Sequence, residues 1–304
     1  MVRREATAAS AASHAQSRRP PLLAASYNAG ARIVRALPQG LRYGAAGVGG
    51  AAWYWLNSQQ RRAALDNYSA ALGLAPSDPE VARVAKRAFE NYSRILVDFV
   101  LMGSLTPAEL MERMSIDGRE HLDASLDRGR GVVLVTAHMG SWDMAVAYGG
   151  ALGYRIAGVT TRFRGSLNDE IVRARQRFGV EVLFAGRAAV KAITQILESN
   201  GVVALVCDLE QGPGIDVRFF GRRAVVPGGP AALALKTGAA VIPAYQYAVG
   251  PGRQHVHVEP PLSPVEGETK EQLMQRIVKR FEDFIHARPD QWYAFRPMFK
   301  AEPV

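Results

Sequence analysis

The stretch Val132-Val133-Leu134-Val135-Thr136-Ala137-His138-Met139-Gly140-Ser141-Trp142-Asp143 decides the fold. It begins as an unbroken β-branched and aliphatic run, the mark of a strand covered on both faces, here Val132–Thr136. Gly140 then lets the backbone turn tightly, and Ser141 is placed to cap a helix over Ser141–Gly150. Working outward, strands are predicted at Arg155–Thr160, Val180–Phe184, Val202–Cys207, Ala240–Tyr247 and His255–Glu259. Helices are predicted between and after them at Asn168–Phe178, Ala188–Ser199, Gly229–Lys236 and Glu268–Ala287. Such alternation predicts an α/β fold of one domain, with a mostly parallel central sheet covered by helices on both faces.

His138 falls just beyond the carboxyl end of its strand, where open α/β sheets bind their ligands. A neutral imidazole beside a carboxylate is a general base able to deprotonate an alcohol near neutral pH. Asp143 is the carboxylate at hand. Five positions on a straight helix leave two side chains roughly 140° apart, so they meet only if His138 lies in the turn and Asp143 in the first helical turn. Read that way, Asp143 fixes the tautomer of His138. The alternative is a plain buried histidine and an acid that complements the helix dipole.

The 304 residues are 48% hydrophobic, enough for a full core, and Cys207 as the single cysteine excludes an intrachain disulfide. A net charge of +9 calls for an anionic partner. Before residue 61 the charges are Arg3, Arg4, Arg18, Arg19, Arg32, Arg35, Arg42 and a lone acid, Glu5, in a stretch rich in Ala, Gly and aromatics. Basic charge beside apolar surface favours an anionic membrane surface over nucleic acid, for which no binding motif is present. Residues 1–20 read as a disordered basic leader, 21–60 as an amphipathic and apolar membrane-associating region, and 61–304 as the α/β domain. The uncharged stretch Tyr43–Leu56 is too short to span a bilayer as a helix, which needs about 20 residues. Trp53, Tyr54 and Trp55 at its end suit either an interfacial anchor or the core. Ser77-Asp78-Pro79-Glu80 starts a core helix running to Met102, with Asn91 and Arg94 on its flank.

The string around His138 resembles the His-x4-Asp block of the lysophospholipid acyltransferase superfamily, in the branch of bacterial lipid A acyltransferases and phosphatidylinositol mannoside acyltransferases. Further blocks follow in the same order. Arg162 with Asn168 and Arg175 is similar to a segment after the second strand, and Asp208-Leu209-Glu210 leading to Phe219-Phe220-Gly221 to an acidic block with its F-x-G. Val226-Pro227-Gly228-Gly229 with Thr237-Gly238-Ala239, and the tail Pro289-Asp290-Gln291-Trp292, complete the likeness over roughly residues 30–297. The chain departs from the glycerol-3-phosphate type in lacking an F-P-E-G-T-R block, and carries Glu210 where relatives often have Asp.

The resemblance implies O-acyl transfer to a glycolipid hydroxyl, a phosphatidylinositol mannoside or lipid A-like acceptor, with acyl-CoA or acyl carrier protein as donor. His138 would be the base and Asp143 its partner. Arg162 and Arg175 would stabilise the oxyanion or hold phosphate, and Asp208 and Glu210 would bind sugar hydroxyls or form an ion pair. It implies no cofactor and no metal, and a peripheral place on the cytoplasmic face of the plasma membrane. Cys207 next to Asp208 is a poor nucleophile, because an adjacent carboxylate raises a thiol pKa. Hydrolysis of a lipid ester or thioester by the same pair, or a non-catalytic lipid-binding module, are the competing readings. His255 and His257 share one side of a strand and read as surface or packing residues.

Overall fold

The computed structural model describes residues 22–162, 167–212, 214–263 and 265–301. The expected leader, residues 1–20, lies outside them. Helices α1 (Leu22–Ala36), α2 (Gln39–Leu56), α3 (Ser58–Leu72), α4 (Pro79–Met102) and α5 (Pro107–Arg113) come first. Then follow β1 (Met114–Asp117), α6 (Arg119–Leu126), β2 (Val132–Thr136), α7 (Trp142–Ala151), β3 (Ile156–Thr160), α8 (Leu167–Gln176) and β4 (Glu181–Phe184). The rest runs α9 (Arg187–Glu198), β5 (Val202–Val206), β6 (Gly214–Phe219), β7 (Arg222–Pro227), α10 (Gly229–Thr237), β8 (Ala240–Gly250), β9 (Arg253–Val258) and α11 (Lys270–Ala287).

Seven strands form one sheet in the order β1-β9-β8-β2-β5-β3-β4, parallel throughout except between β8 and β9. This is the α/β architecture expected, and the predicted strands sit where the apolar runs are. The run 132–136 is central, between β8 and β5, and a core packs on each of its faces, so its side chains need not alternate in polarity. Val133, Val135 and Val203 pack into one core on one face, while Val132, Val202 and Ile156 pack into a second on the other.

The two edges of the sequence reading differ from the structure. β1 is only four residues long, and β6 and β7 form a separate antiparallel hairpin turning at Phe220 and Gly221, both at positive φ. Burial alternates along β6, with Ile215, Val217 and Phe219 inward. The turn is hard to recognise because Phe stands where Asn or Asp is usual. Residue 60 is not a boundary in the structure, since α3 runs through it.

The Gly- and Ala-rich segment becomes α2, laid against α4. A Cβ on Gly50 would come 2.5 Å from the carbonyl oxygen of Phe89, so only glycine lets the two backbones approach this closely. Trp53 packs edge-on to Phe89, with ring centroids 5.1 Å apart, and Tyr54 is buried. Trp55 instead is 64% exposed and Leu56 85%. The aromatic cluster therefore divides, two rings to the core and one to the surface. Leu41, Ala45, Val48, Ala52 and Trp55, spaced by four and three, form an outward apolar stripe on α2. No helix among the described residues is long and apolar enough to cross a membrane.

Candidate active site

Parallel pairing of β2 with β5 sets Thr136 opposite Val206, so two residues further on His138 and Asp208 leave the sheet side by side. His138 Nδ1 lies 2.6 Å from Asp208 Oδ1, and Trp292 Nε1 donates to Asp208 Oδ2 at 2.8 Å. Asp208 is fully buried with both oxygens engaged. Burial pushes its pKa up, but the charge and hydrogen bond of His138 and the Trp292 hydrogen bond outweigh that, leaving it below the usual carboxylate value. An ionised Asp208 accepts a hydrogen bond from the Nδ1–H of His138, which places the imidazole lone pair on Nε2. Among the described residues nothing holds Nε2, and His138 lines the cavity.

The expected contact of Asp143 with His138 is corrected by this geometry. Asp143 sits in the first turn of α7 and its carboxylate turns to α8, where Arg175 Nε donates to Oδ1 at 2.8 Å. Trp142 packs edge-on against the His138 ring at 5.3 Å, and the Nδ1 side of the ring belongs to Asp208. Asp208 is likewise not free to bind sugar hydroxyls, since it is buried and saturated. What the sequence missed was the partnership itself. Its signal was two apolar runs ending at matching distances before His138 and Asp208, but which strands are neighbours is not written in periodicity.

The turn that carries His138 is tied on all sides. Tyr293 N donates to His138 O at 2.8 Å, Gly140 N to Gln291 O at 3.2 Å, and Gln246 Nε2 to Met139 O. Gly140 has φ +47°, and a Cβ there would lie 2.4 Å from Gln246 O, so the turn demands glycine. The P-x-x-W tail is thus part of the site: Trp292 grips Asp208, and Tyr68 in turn donates to the Trp292 carbonyl. Asn91 also serves that tail, donating to Asp290 O at 3.0 Å, and Arg94 donates to Asn91.

A cavity of about 1080 Å³ opens at the carboxyl edge of the sheet, lined mostly by apolar side chains. His138, Asp143, Arg175 and Glu210 reach its wall, together with Arg296, which the sequence reading did not single out. Arg175 and Asp143 form a nearly buried ion pair there. Glu210 pairs with Lys300 at 2.6 Å on the surface, an ion pair of the kind expected but with Lys as the cation. Arg162 is exposed, its guanidinium stacked 3.9 Å over the ring of Phe184 and apart from the cavity wall. Cys207 is buried, and burial followed by the charge of Asp208 pushes its thiol well above the usual value. Pro227, Gly229 and Pro230 enter the cavity wall where β7 turns into α10. His255 and His257 both contact Asp117, joining β9 to the edge strand β1. Among the described residues no cluster of His, Cys, Asp and Glu is arranged to hold a metal ion.

The fold and site together define a class, an α/β protein with a histidine held by a buried carboxylate in the wall of a large, mostly apolar cavity. Sequence comparison narrows it. Residues 16–301 match the family model of the bacterial lipid A biosynthesis acyltransferases, and the chain belongs to that family. It is an acyltransferase. It is 30% identical over 284 residues to the phosphatidylinositol mannoside acyltransferase of Mycolicibacterium smegmatis, covering 91% of each chain. It is also 30% identical over 285 residues to the protein of that name from Mycobacterium tuberculosis, covering 91% of this chain and 88% of the relative. Among solved structures, a 1-acyl-sn-glycerophosphate acyltransferase from Thermotoga maritima aligns with a TM-score of 0.40 and 15% identity, over 76% of this chain and 98% of that one.

Proposed function

We propose that this acyltransferase moves a fatty acyl chain from a thioester, acyl-CoA or acyl carrier protein, to a hydroxyl of a phosphatidylinositol mannoside-type glycolipid, with His138 as the base. The observation that carries the reading is the Trp292–Asp208–His138 chain of hydrogen bonds, with His138 in the wall of a mostly apolar cavity. In the first step His138 Nε2 takes the proton of the acceptor hydroxyl as its oxygen bonds to the thioester carbonyl carbon. The C–S bond then breaks, and the sulfur leaves with the proton that Nε2 had taken. Asp208 stabilises the imidazolium between the two events without itself being protonated. The negative oxygen of the intermediate is met by N–H groups at the start of α7, and Arg175 lines the same cavity while paired with Asp143. Arg162 at the surface suits a phosphate of the donor or of the lipid head. The named relatives support the acceptor class.

The same reading has the enzyme peripheral on the cytoplasmic face of the plasma membrane. Support comes from the outward stripe of α2, with Arg32 and Arg35 on α1 and Arg42 on α2 close by in sequence. Incubation of purified protein with acyl-CoA, with and without phosphatidylinositol mannoside or a lipid A precursor, tests the chemistry. Acylated mannoside is expected, and its formation is expected to vanish in His138→Ala. Free fatty acid released at one rate whatever the acceptor would make the protein a hydrolase instead.

A further inference from the structure

Among the described residues, five side chains of fixed charge line the cavity: Asp143, Glu210, Arg175, Lys236 and Arg296. Both acids are answered within the protein. Asp143 pairs with Arg175 at 2.6 Å, and Glu210 with Lys300 at 2.6 Å. Lys236 stands in the last turn of α10, where the helix carbonyls favour a cation, and it shares a surface groove with Lys191 and Glu198. Arg296 is different. No described residue accepts a hydrogen bond from its guanidinium or pairs with it, so the cavity wall keeps a positive charge there that the fold does not use.

The backbone that carries this exposed side chain is nevertheless fixed. Its carbonyl accepts from Asn67 Nδ2 at 2.8 Å, and Phe295 before it and Met298 after it are buried. Phe295 packs on Tyr92 of α4 at 5.6 Å and on Trp53 of α2 at 5.7 Å. Tyr92 links the cation to the chemistry. Burial and the charge of Asp143 raise its hydroxyl above the ordinary value and the charge of Arg296 opposes them, so both charges are close to one phenol. From Tyr92, ring contacts lead back to the base, through Tyr293 at 5.1 Å and Trp142 at 6.4 Å to His138 at 5.3 Å. A guanidinium anchored at its backbone, open to the cavity and a few rings from the base suits an anion that offers two oxygens to its fork, a phosphate above all.

We infer that the Arg296 guanidinium holds the phosphodiester of the acceptor lipid, and so selects phosphate-bearing glycolipids over neutral ones with the same sugar. The inference rests on the acyl-transfer reading above. Place favours the acceptor over the donor: Phe295, next to Arg296, packs on α2, the helix whose outer stripe is the membrane contact of that reading. A lipid's phosphate lies at headgroup depth beside that helix, whereas Lys236 lies toward α9. One acceptor molecule then meets the enzyme at two points, its hydroxyl at His138 and its phosphate at Arg296.

The test uses the full-length protein with acyl-CoA and two acceptors in detergent: phosphatidylinositol mannoside, and an alkyl mannoside that has the sugar but no phosphate. In Arg296→Gln the ratio of kcat/KM for the first over the second is expected to fall about tenfold or more, chiefly through KM. Arg296→Lys, which keeps the charge but not the fork, is expected to lose about threefold, and it stands in should Arg296→Gln not fold by thermal unfolding. Phosphatidylinositol, with the phosphodiester but no mannose, is expected to inhibit the wild type and to bind about tenfold or more weaker to Arg296→Gln. This second arm decides the matter if the alkyl mannoside is not acylated. A ratio that stays at the wild-type value overturns the inference, as does, in the second arm, inhibition that is absent or equal in the two proteins. A rise in the KM of acyl-CoA that is absent with an acyl-N-acetylcysteamine thioester, a donor without phosphate, assigns Arg296 to the donor and overturns it too. A wild-type enzyme that acylates no acceptor removes the acyl-transfer reading and this inference together.

Discussion

At the scale of single residues, two carboxylates far apart in sequence hold the His138 turn, and neither is the one five positions after His138. Asp208 holds the imidazole directly, so Asp208→Asn is expected to lower kcat by about 10²–10⁴ with little change in KM. Asp143→Asn, which loosens Arg175 and not the base, is expected to do much less; steady-state kinetics of the two variants side by side decide it. Asp98 on α4 is nearly fully buried, receiving hydrogen bonds from Tyr43 of α2 and from Gln254 Nε2 at 2.9 Å. Gln254 Oε1 in turn accepts from the backbone N–H of Ser141 at 3.4 Å. Burial pushes Asp98 up to about 6 from an ordinary 3.8, against the hydrogen bonds and nearby arginines that favour its ionised form. The folded protein therefore binds this proton more tightly than the unfolded chain, and stability from this group rises as the pH falls from about 6 toward 3.8. Asp98→Asn, which removes the buried charge, is expected to stabilise the fold above about pH 6 by at most ~2–3 kcal/mol. The gain should fade on acidification, and urea unfolding at pH 8 and pH 5 measures it. A gain of equal size at both would mean that the charge is not its source.

At the scale of elements, α2 has two faces with different work. Its inner face, with Gly50 and Trp53, is core, and its outer stripe is apolar and exposed, Trp55 meeting the Tyr54 ring and the Arg61 guanidinium. If that stripe is the membrane contact, Val48→Asp with Trp55→Ser is expected to move the protein from the membrane pellet to the supernatant without unfolding it. High salt should release the wild type only in part, because charge and insertion both contribute. An unchanged distribution would place the contact elsewhere. The sequence disclosed that this stretch was apolar and too short to span; it did not disclose which residues faced inward. Periodicity blurs when the core face is itself Gly and Ala, since the closest helix approach is made by the least hydrophobic residues. The strands were easier to read, because buried parallel strands are continuous apolar runs. β1 and the β6–β7 hairpin were not, the first for its shortness and the second for its Phe-Gly turn.

At the scale of the whole molecule, the α/β class and the location of the site were legible because both follow from local pattern. The partnership of His138 with Asp208 and Trp292 was not, because it is made by sheet order and by a tail docking back over the core. That docking has both ends of the described chain as parties. Asn67 of α3 donates to the carbonyls of Ala294 and Arg296, at 2.8 Å each, and Tyr68 of α3 donates to that of Trp292. Deleting the segments through α2 to solubilise the enzyme would also strip the cover from Phe89 and Tyr92, so surface substitution is the cleaner route. The tail also has a consequence in time. While the chain is being synthesised, β2, β5 and the His138 turn emerge before residue 292 does, and until then Asp208 lacks its indole donor and the turn lacks its Gln291 and Tyr293 anchors. The indole donor of Asp208 and the anchors of the His138 turn are thus added only after the strands they hold have been made.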